Sequence, residues 1–363
     1  MSGLLLFSSP FCFTVKCRRF RLQFRVLWLN QNMQPPELDP AAPMIFIING
    51  GSGNHDAPTQ RAVIEAALQR AGRTGELIVA TPQDLPMRAS QAAVKARQTH
   101  TAVVAVGGDG TVNTVCQAAY AQGCAMGVIA QGTFNYFART HNLPTEPDLA
   151  ADMLFQGHVQ PVQVAMVNDQ VFLVNASLGL YPQLLEDREA YKARFGRSRV
   201  VAFGAALMTL LRSHRSLKLQ VKLDNTERDV RTPTLFVGNN RLQLEQVGVP
   251  MNLCPVRGFE NGRVSAVMLR PMGTLALLRL MLRGAMGTLG EADSVESFEF
   301  THMLIKPRTA FGRRRVKVAF DGEVKRMRWP LTFSVPQKPL YLIKPDAPAN
   351  LPTDALTAER TAA

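Results

Sequence analysis

A chain of 363 residues, 46% apolar and with a mean hydropathy of −0.02, has the composition of a folded protein long enough for two cored domains. Its net charge of +13 and pI near 10 favour anionic partners, and no run of 18 or more apolar residues marks a membrane-spanning helix. Five scattered cysteines (Cys12, Cys17, Cys116, Cys124 and Cys254) form no C-x-x-C pair, which speaks against a disulfide framework or a zinc site and suits a reducing, cytosolic setting. The six histidines offer no paired-ligand spacing either.

Residues 1–43 read as a leader expected to be disordered. Its first thirty residues carry five positive charges and no acid, with the apolar run ahead of the charges, the reverse of a secretory signal. Two readings stay open, a basic amphipathic membrane anchor or an unstructured or misassigned leader with Met33 as the working start. From Met44 the pattern is regular. "MIFIIN" predicts a buried strand, "TQRAVIEAALQRAG" a helix with a glycine stop, "ELIVA" a strand and "ASQAAVKARQ" a helix. "AVVAV" and "AMGVIA" are two further strands with a helix between them. Strands alternating with helices predict a Rossmann-like parallel α/β domain over residues 44–157.

The texture then changes. "VQVAMVNDQVFLVNA" predicts two strands turning at Asn168-Asp169, and "LKLQVKLDNTERDVRTPTLFVGNN", "GRVSAVML", "SFEFTHMLIKP", "RVKVAFDGEVK" and "LTFSVPQ" continue the series. Helical stretches interrupt it at 187–212 and 273–288. Residues 158–345 are therefore expected to form a β-rich, mostly antiparallel sandwich, and 346–363 a disordered tail.

Three glycine loops follow three of the predicted parallel strands: "NGGSGN" at 49–54, "GGDGT" at 107–111 and "QGTFN" at 131–135. Open α/β sheets bind ligands at that edge. Glycine lets the main chain come close to a ligand, and a following helix N-terminus favours an anion, so phosphate is the expected guest. "GGSG" alone is equally well a tight turn, and no Walker-type G-x-x-x-x-G-K-[ST] occurs. A carboxylate inside a phosphate loop needs a reason. Asp109 either caps its helix or faces the phosphates through Mg²⁺ or a proton in transfer.

"GGDGTVN", with "NGGSGN" upstream and "GTFNYFAR" downstream, resembles the catalytic domain of the diacylglycerol kinase and sphingosine kinase superfamily, in particular the bacterial lipid kinases. The resemblance spans residues 44–345, taking in "YKARFGRSRVVAFGAALMTLL", the strand "LFVGNN" that in the family leads to the lipid cleft, and the late D-G-E motif in "AFDGEV". It implies ATP·Mg²⁺ between the two domains and a lipid hydroxyl as acceptor, diacylglycerol first. Phosphoryl transfer needs a carboxylate to orient the hydroxyl and take its proton, and donors or metal to spread the phosphate charge. The expectation is Asp321 as base, Glu323 supporting it or the metal, and Asp109 on Mg²⁺ or the triphosphate, with the exchange of Asp109 and Asp321 left open. Asn49, Ser52, Thr111, Thr133 and Asn135 are suited to hydrogen-bond phosphate, ribose or base, and Gly50, Gly53, Gly107, Gly108, Gly110 and Gly132 to close backbone approach. Without the resemblance, D-G at 321–322 reads as a hairpin turn.

The sequence departs from the family at three places. Thr114 stands where a glutamate is common, Tyr136 where an aspartate often follows the asparagine of "GTxN", and "FENGRV" where relatives carry an acidic D-G that holds a structural metal, leaving Glu260. "KPRTAFGRRRVK", "RFGRSR" and "RSHRSLK" either are solvated strand ends or form a basic face for anionic lipid. The expected partners are ATP and a lipid at an anionic membrane surface, with no nucleic acid, a homodimer left open, and a cytoplasmic protein visiting the inner membrane surface. An NAD kinase, which shares "GGDGT", and a nucleotide- or lipid-binding module without catalysis are the alternatives.

Overall fold

The computed structural model describes residues 34–50, 57–195, 216–223, 226–239, 262–273, 276, 279, 294–308 and 315–345. The expectations for the leader, for most of 187–212 and 273–288, and for the tail lie outside them. Chain order begins with β1 (Met44–Asn49), α1 (Ala57–Ala71), β2 (Gly75–Ala80), α2 (Leu85–Gln98), β3 (Ala102–Gly107), α3 (Asp109–Gln122), β4 (Ala125–Ala130), α4 (Tyr136–Thr140) and α5 (Pro147–Gln156). Strands β1, β3 and β4 are buried along their whole length, as an unbroken apolar run requires when helices cover both faces of a parallel sheet. Helix α2 starts four residues before the expected Ala89, with Pro86 in its first turn, where a missing N–H leaves no helical bond unmade. Helix α5, absent from the sequence reading, packs onto β4 so closely that a Cβ on Gly127 would fall 2.4 Å from Leu154 Cδ2.

The chain continues with β5 (His158–Val162), β6 (Ala165–Val167), β7 (Gln170–Phe172), β8 (Asn175–Gly179) and α6 (Leu180–Phe195). Then follow β9 (Leu217–Leu223), β10 (Thr226–Thr232), β11 (Thr234–Gly238), β12 (Val264–Leu269), β13 (Val295–Phe300), β14 (His302–Pro307), β15 (Arg315–Phe320), β16 (Glu323–Arg328), β17 (Leu331–Ser334) and β18 (Leu340–Lys344). Two antiparallel sheets, β10-β9-β14-β17-β6-β7 and β13-β12-β11-β8-β15-β16, form the sandwich. Phe172, Phe300, Phe320 and Phe333 fill its centre. The hairpin at Asn168-Asp169 forms as expected, with Val167 opposite Gln170 and Asn168 in the left-handed region.

The first sheet has the order β2-β1-β3-β4-β18-β5. Strand β18 runs parallel to β4 and antiparallel to β5, placing Leu342 beside Met126 on one side and Gln160 on the other. A cut at 157/158 assigns both β5 and β18 to the sandwich; the hydrogen bonding assigns them to the α/β sheet. The expected boundary is corrected accordingly, because the chain leaves the first sheet after β5 and returns to it only at Leu340.

Candidate active site

Strands β1, β3 and β4 lie side by side and parallel, so the loops after Asn49, Gly107 and Ala130 open on one edge. Asn49 and Thr111, both buried, join two of them: the Asn49 Nδ2 donates to Thr111 Oγ1 at 2.9 Å. Gly50 N–H donates to Ala80 O, and Gln131 N–H to Gly107 O. A Cβ on Gly132 would stand 3.3 Å from Gly108 Cα, 3.5 Å from Asp109 N and 2.9 Å from Asn135 Oδ1. The second and third loops thus approach so closely that any side chain at 132 would press on Gly108 and Asn135. Thr133 is exposed on the third loop, while Ser52 and Gly53 lie outside the described residues.

Helix α3 begins in the middle of this cradle. Its first intrahelical bond runs from Val112 N–H to Gly108 O, so the N–H groups of Asp109, Gly110 and Thr111 have no helical partner. They are the donors a phosphate needs. Asp109, in that first turn, is held above the usual carboxylate range by burial, against a hydrogen bond from the Asn135 main chain. Asn135 adopts a left-handed backbone, and its Oδ1 is buried without a protein partner. Such an oxygen is an acceptor in waiting.

Asp321 reaches the same helix from the turn between β15 and β16. That turn is left-handed at both Asp321 (φ 46°) and Gly322 (φ 87°), so D-G makes the tight hairpin its sequence predicts. The carboxylate points inward. Oδ1 accepts from Val174 N–H at 2.8 Å and Asn175 N–H at 3.1 Å, and Oδ2 from Leu173 N–H at 2.7 Å and the Asn113 amide at 2.6 Å. Burial pushes its pKa up to about 6, against the pull of these four donors. The residue as a whole is half-buried because its main chain forms the turn, while the carboxylate itself is enclosed.

Glu323, two residues on, is exposed. Its Oε1 lies 3.5 Å from where a Cβ on Gly110 would be, over the first turn of α3, and its Oε2 lies 3.8 Å from Lys325 Nζ. The structure therefore gathers Asn49, Gly50, Gly107, Gly108, Asp109, Gly110, Thr111, Gly132, Asn135, Asp321 and Glu323 around the N-terminus of α3 and the adjoining loops. The two departures find local uses: Thr114 Oγ1 donates back to Gly110 O, and Tyr136 stacks on the exposed Phe134 with ring centroids 5.5 Å apart. Glu260 lies outside the described residues, as do "RFGRSR" apart from its first two residues, most of "RSHRSLK" and the centre of "KPRTAFGRRRVK". In the last of these, Arg308 pairs with Asp229 and Lys317 with Glu186.

Sequence reasoning passed over Asn113 and Gln117. They stand four apart on α3, hence on one face. Asn113 Nδ2 donates to Val171 O at 3.2 Å as well as to Asp321, and Gln117 Oε1 accepts Val171 N–H at 2.7 Å. Strand β7 is the edge of its sheet, so the helix amides satisfy the edge groups that no further strand pairs. The signal was present in N-x-x-x-Q at the end of "GGDGTVN".

A parallel α/β sheet with three glycine loops, joined to an antiparallel sandwich that sends an acidic turn back to them, defines a two-domain architecture of the diacylglycerol kinase kind. Residues 43–167 match the diacylglycerol kinase catalytic domain, and residues 186–344 match the "YegS C-terminal NAD kinase beta sandwich-like domain". A "Probable lipid kinase YegS-like" of Cronobacter sakazakii is 29% identical over 179 residues, covering 48% of this chain and 56% of that one. A "Diacylglycerol kinase" of Mycobacterium tuberculosis (strain ATCC 25618 / H37Rv) is 31% identical over 203 residues, covering 54% of this chain and 63% of that one. The matched stretch is thus little more than half the length of these relatives. The crystal structure of a diacylglycerol kinase from Bacillus anthracis str. Sterne superposes with a TM-score of 0.59 at 19% identity, over 85% of this chain and 98% of that one. Residues 43–167 thus belong to the diacylglycerol kinase catalytic-domain family.

Proposed function

We propose that the protein transfers the γ-phosphate of ATP to the hydroxyl of a lipid of the diacylglycerol type. The observation that carries this reading is the convergence of two glycine loops, Asp109 and Glu323 on the free N-terminus of α3. The N–H groups of Asp109, Gly110 and Thr111 face the phosphates. Magnesium is commonly bound by one or two carboxylates together with substrate phosphates. Asp109, in the first turn of α3, fits that requirement. When bound, the ion would neutralise charge on the transferred phosphoryl group.

The base is reassigned from the sequence expectation. A carboxylate has about four acceptor positions, and those of Asp321 are all engaged by protein donors. A hydroxyl could approach it only by displacing one. Glu323 has an exposed carboxylate and reaches the same helix end, so it orients the acceptor hydroxyl and takes its proton. Asp109 stays with the nucleotide. A protein with these properties meets its lipid at a membrane surface, and Lys306 and Arg315 are exposed basic residues suited to anionic headgroups.

The test is transfer of labelled phosphate from ATP·Mg²⁺ into a bacterial lipid extract, with NAD as a separate acceptor. Glu323→Gln is expected to lower kcat by roughly 10²–10⁴-fold while nucleotide affinity changes little, as loss of a general base does. Labelled NADP in place of labelled lipid would move the assignment to an NAD kinase. Nucleotide binding without transfer to either acceptor would make the protein a binding module.

A further inference from the structure

We infer that Asn113 and Asp321 are a positioning pair that locks the D-G-E turn of the sandwich onto the helix of the α/β domain, so that Glu323 is held over Gly110. The inference deepens the kinase reading and rests on it for its catalytic consequence. Its structural content stands on hydrogen bonds alone.

The pair couples three pieces of chain far apart in sequence. Asn113 lies one turn beyond Gly110 on α3, Asp321 lies two residues before Glu323, and the N–H groups of Leu173, Val174 and Asn175 close the loop between β7 and β8. Asp321 N–H in turn donates to Asn175 O at 3.0 Å, so the turn and the loop are tied in both directions. The three main-chain donors lie in the segment joining β7 to β8, where Leu173 and Val174 pack into the α/β core, and they fix the carboxylate to that segment. Only the Asn113 amide joins the carboxylate to the helix that presents Gly110. Remove it, and Asp321 keeps its main-chain partners while the link from the turn to the phosphate-binding helix is lost.

Gln117 supplies the control. It sits one turn further along α3 and docks the helix against Val171 N–H, but it does not touch Asp321. A purely structural role for this face predicts that Asn113→Ala and Gln117→Ala behave alike. Positioning predicts that they separate. Asn113→Ala is expected to lower kcat at least tenfold with the affinity for ATP within about twofold, because the misplacement affects only the transferring geometry. Gln117→Ala is expected to leave kcat within about twofold at a comparable change in melting temperature.

Residue-resolved amide hydrogen exchange reads the same contacts without any turnover. Exchange at Asp321 N–H and at Val112 N–H, the first hydrogen-bonded amide of α3, is expected to rise several-fold in Asn113→Ala, while in Gln117→Ala the rise is confined to Val171. Unchanged exchange at 112 and 321 in a folded Asn113→Ala protein would overturn the inference, as would equal loss of kcat in the two variants. If the wild-type protein transfers no phosphate to any lipid, the kinase reading fails and the exchange pattern alone decides whether the pair holds the turn.

Discussion

His141 sits at the C-terminal end of α4 with its ring edge-on to Phe137, the centroids 4.6 Å apart. Burial, with a smaller push from Lys344, lowers its pKa to about 3. The unfolded chain takes up a proton near the ordinary value of 6.5 that the native ring refuses. His141 therefore contributes stability that is present above pH 6.5 and lost as pH falls through the window down to about 3. Asp321 acts in the opposite sense: burial holds its folded pKa at about 6, above the ordinary 3.8, so its contribution is present below 3.8 and lost as pH rises through 6. The two oppose each other between about pH 4 and 6, so the wild-type profile hides both. His141→Phe keeps the edge contact and deletes the titration. Its unfolding free energy is expected to fall less steeply with acid than that of the wild type, by about 1.4 kcal/mol per pH unit between pH 6 and 4. Urea titrations across that range measure it, and parallel profiles for the two proteins would refute the assignment.

At the scale of elements, the loops at the edge of the first sheet work only because Gly132 has no side chain. An alanine there would press on Gly108 Cα and on Asn135 Oδ1, moving the third loop off the second or turning the Asn135 amide away. The sheet below would be untouched. Gly132→Ala is expected to weaken ATP binding by roughly tenfold or more while the melting temperature moves by no more than a few degrees, since the strain falls on the loop and not the core. Calorimetric titration with ATP·Mg²⁺ beside thermal unfolding separates the two effects. These loops were readable in the sequence because glycine, aspartate and the strands before them are local signals. The N–H donors of α3 follow from the same stretch. What could not be read was which carboxylate is enclosed. Asp321 and Glu323 are two residues apart in one turn, and only the folded positions of residues 113 and 173–175 make one an anchor and leave the other exposed. The end of the first domain was hidden for a related reason: nothing in "LYLIK" says that it enters a parallel sheet more than two hundred residues upstream.

At the scale of the molecule, that returning strand decides how the protein melts. Strand β18 lies between β4 and β5, and Leu340, Leu342 and Ile343 are buried in the core of the α/β sheet. The sandwich between β5 and β18 is therefore an insertion whose two ends are adjacent strands of the first domain. The Asn113–Asp321 and Gln117–Val171 bonds add links across the junction. Neither domain can lose its structure without releasing strands or partners of the other, and a single cooperative transition is expected. Leu342→Ala removes a fully buried side chain at the seam, a change that costs about 2–5 kcal/mol and lowers the melting temperature by roughly 3–7 °C in a chain of this size. Scanning calorimetry should show one peak displaced as a whole. If the peak instead splits, with part of the enthalpy remaining at the wild-type temperature, the sandwich unfolds on its own and the returning strand does not couple the domains.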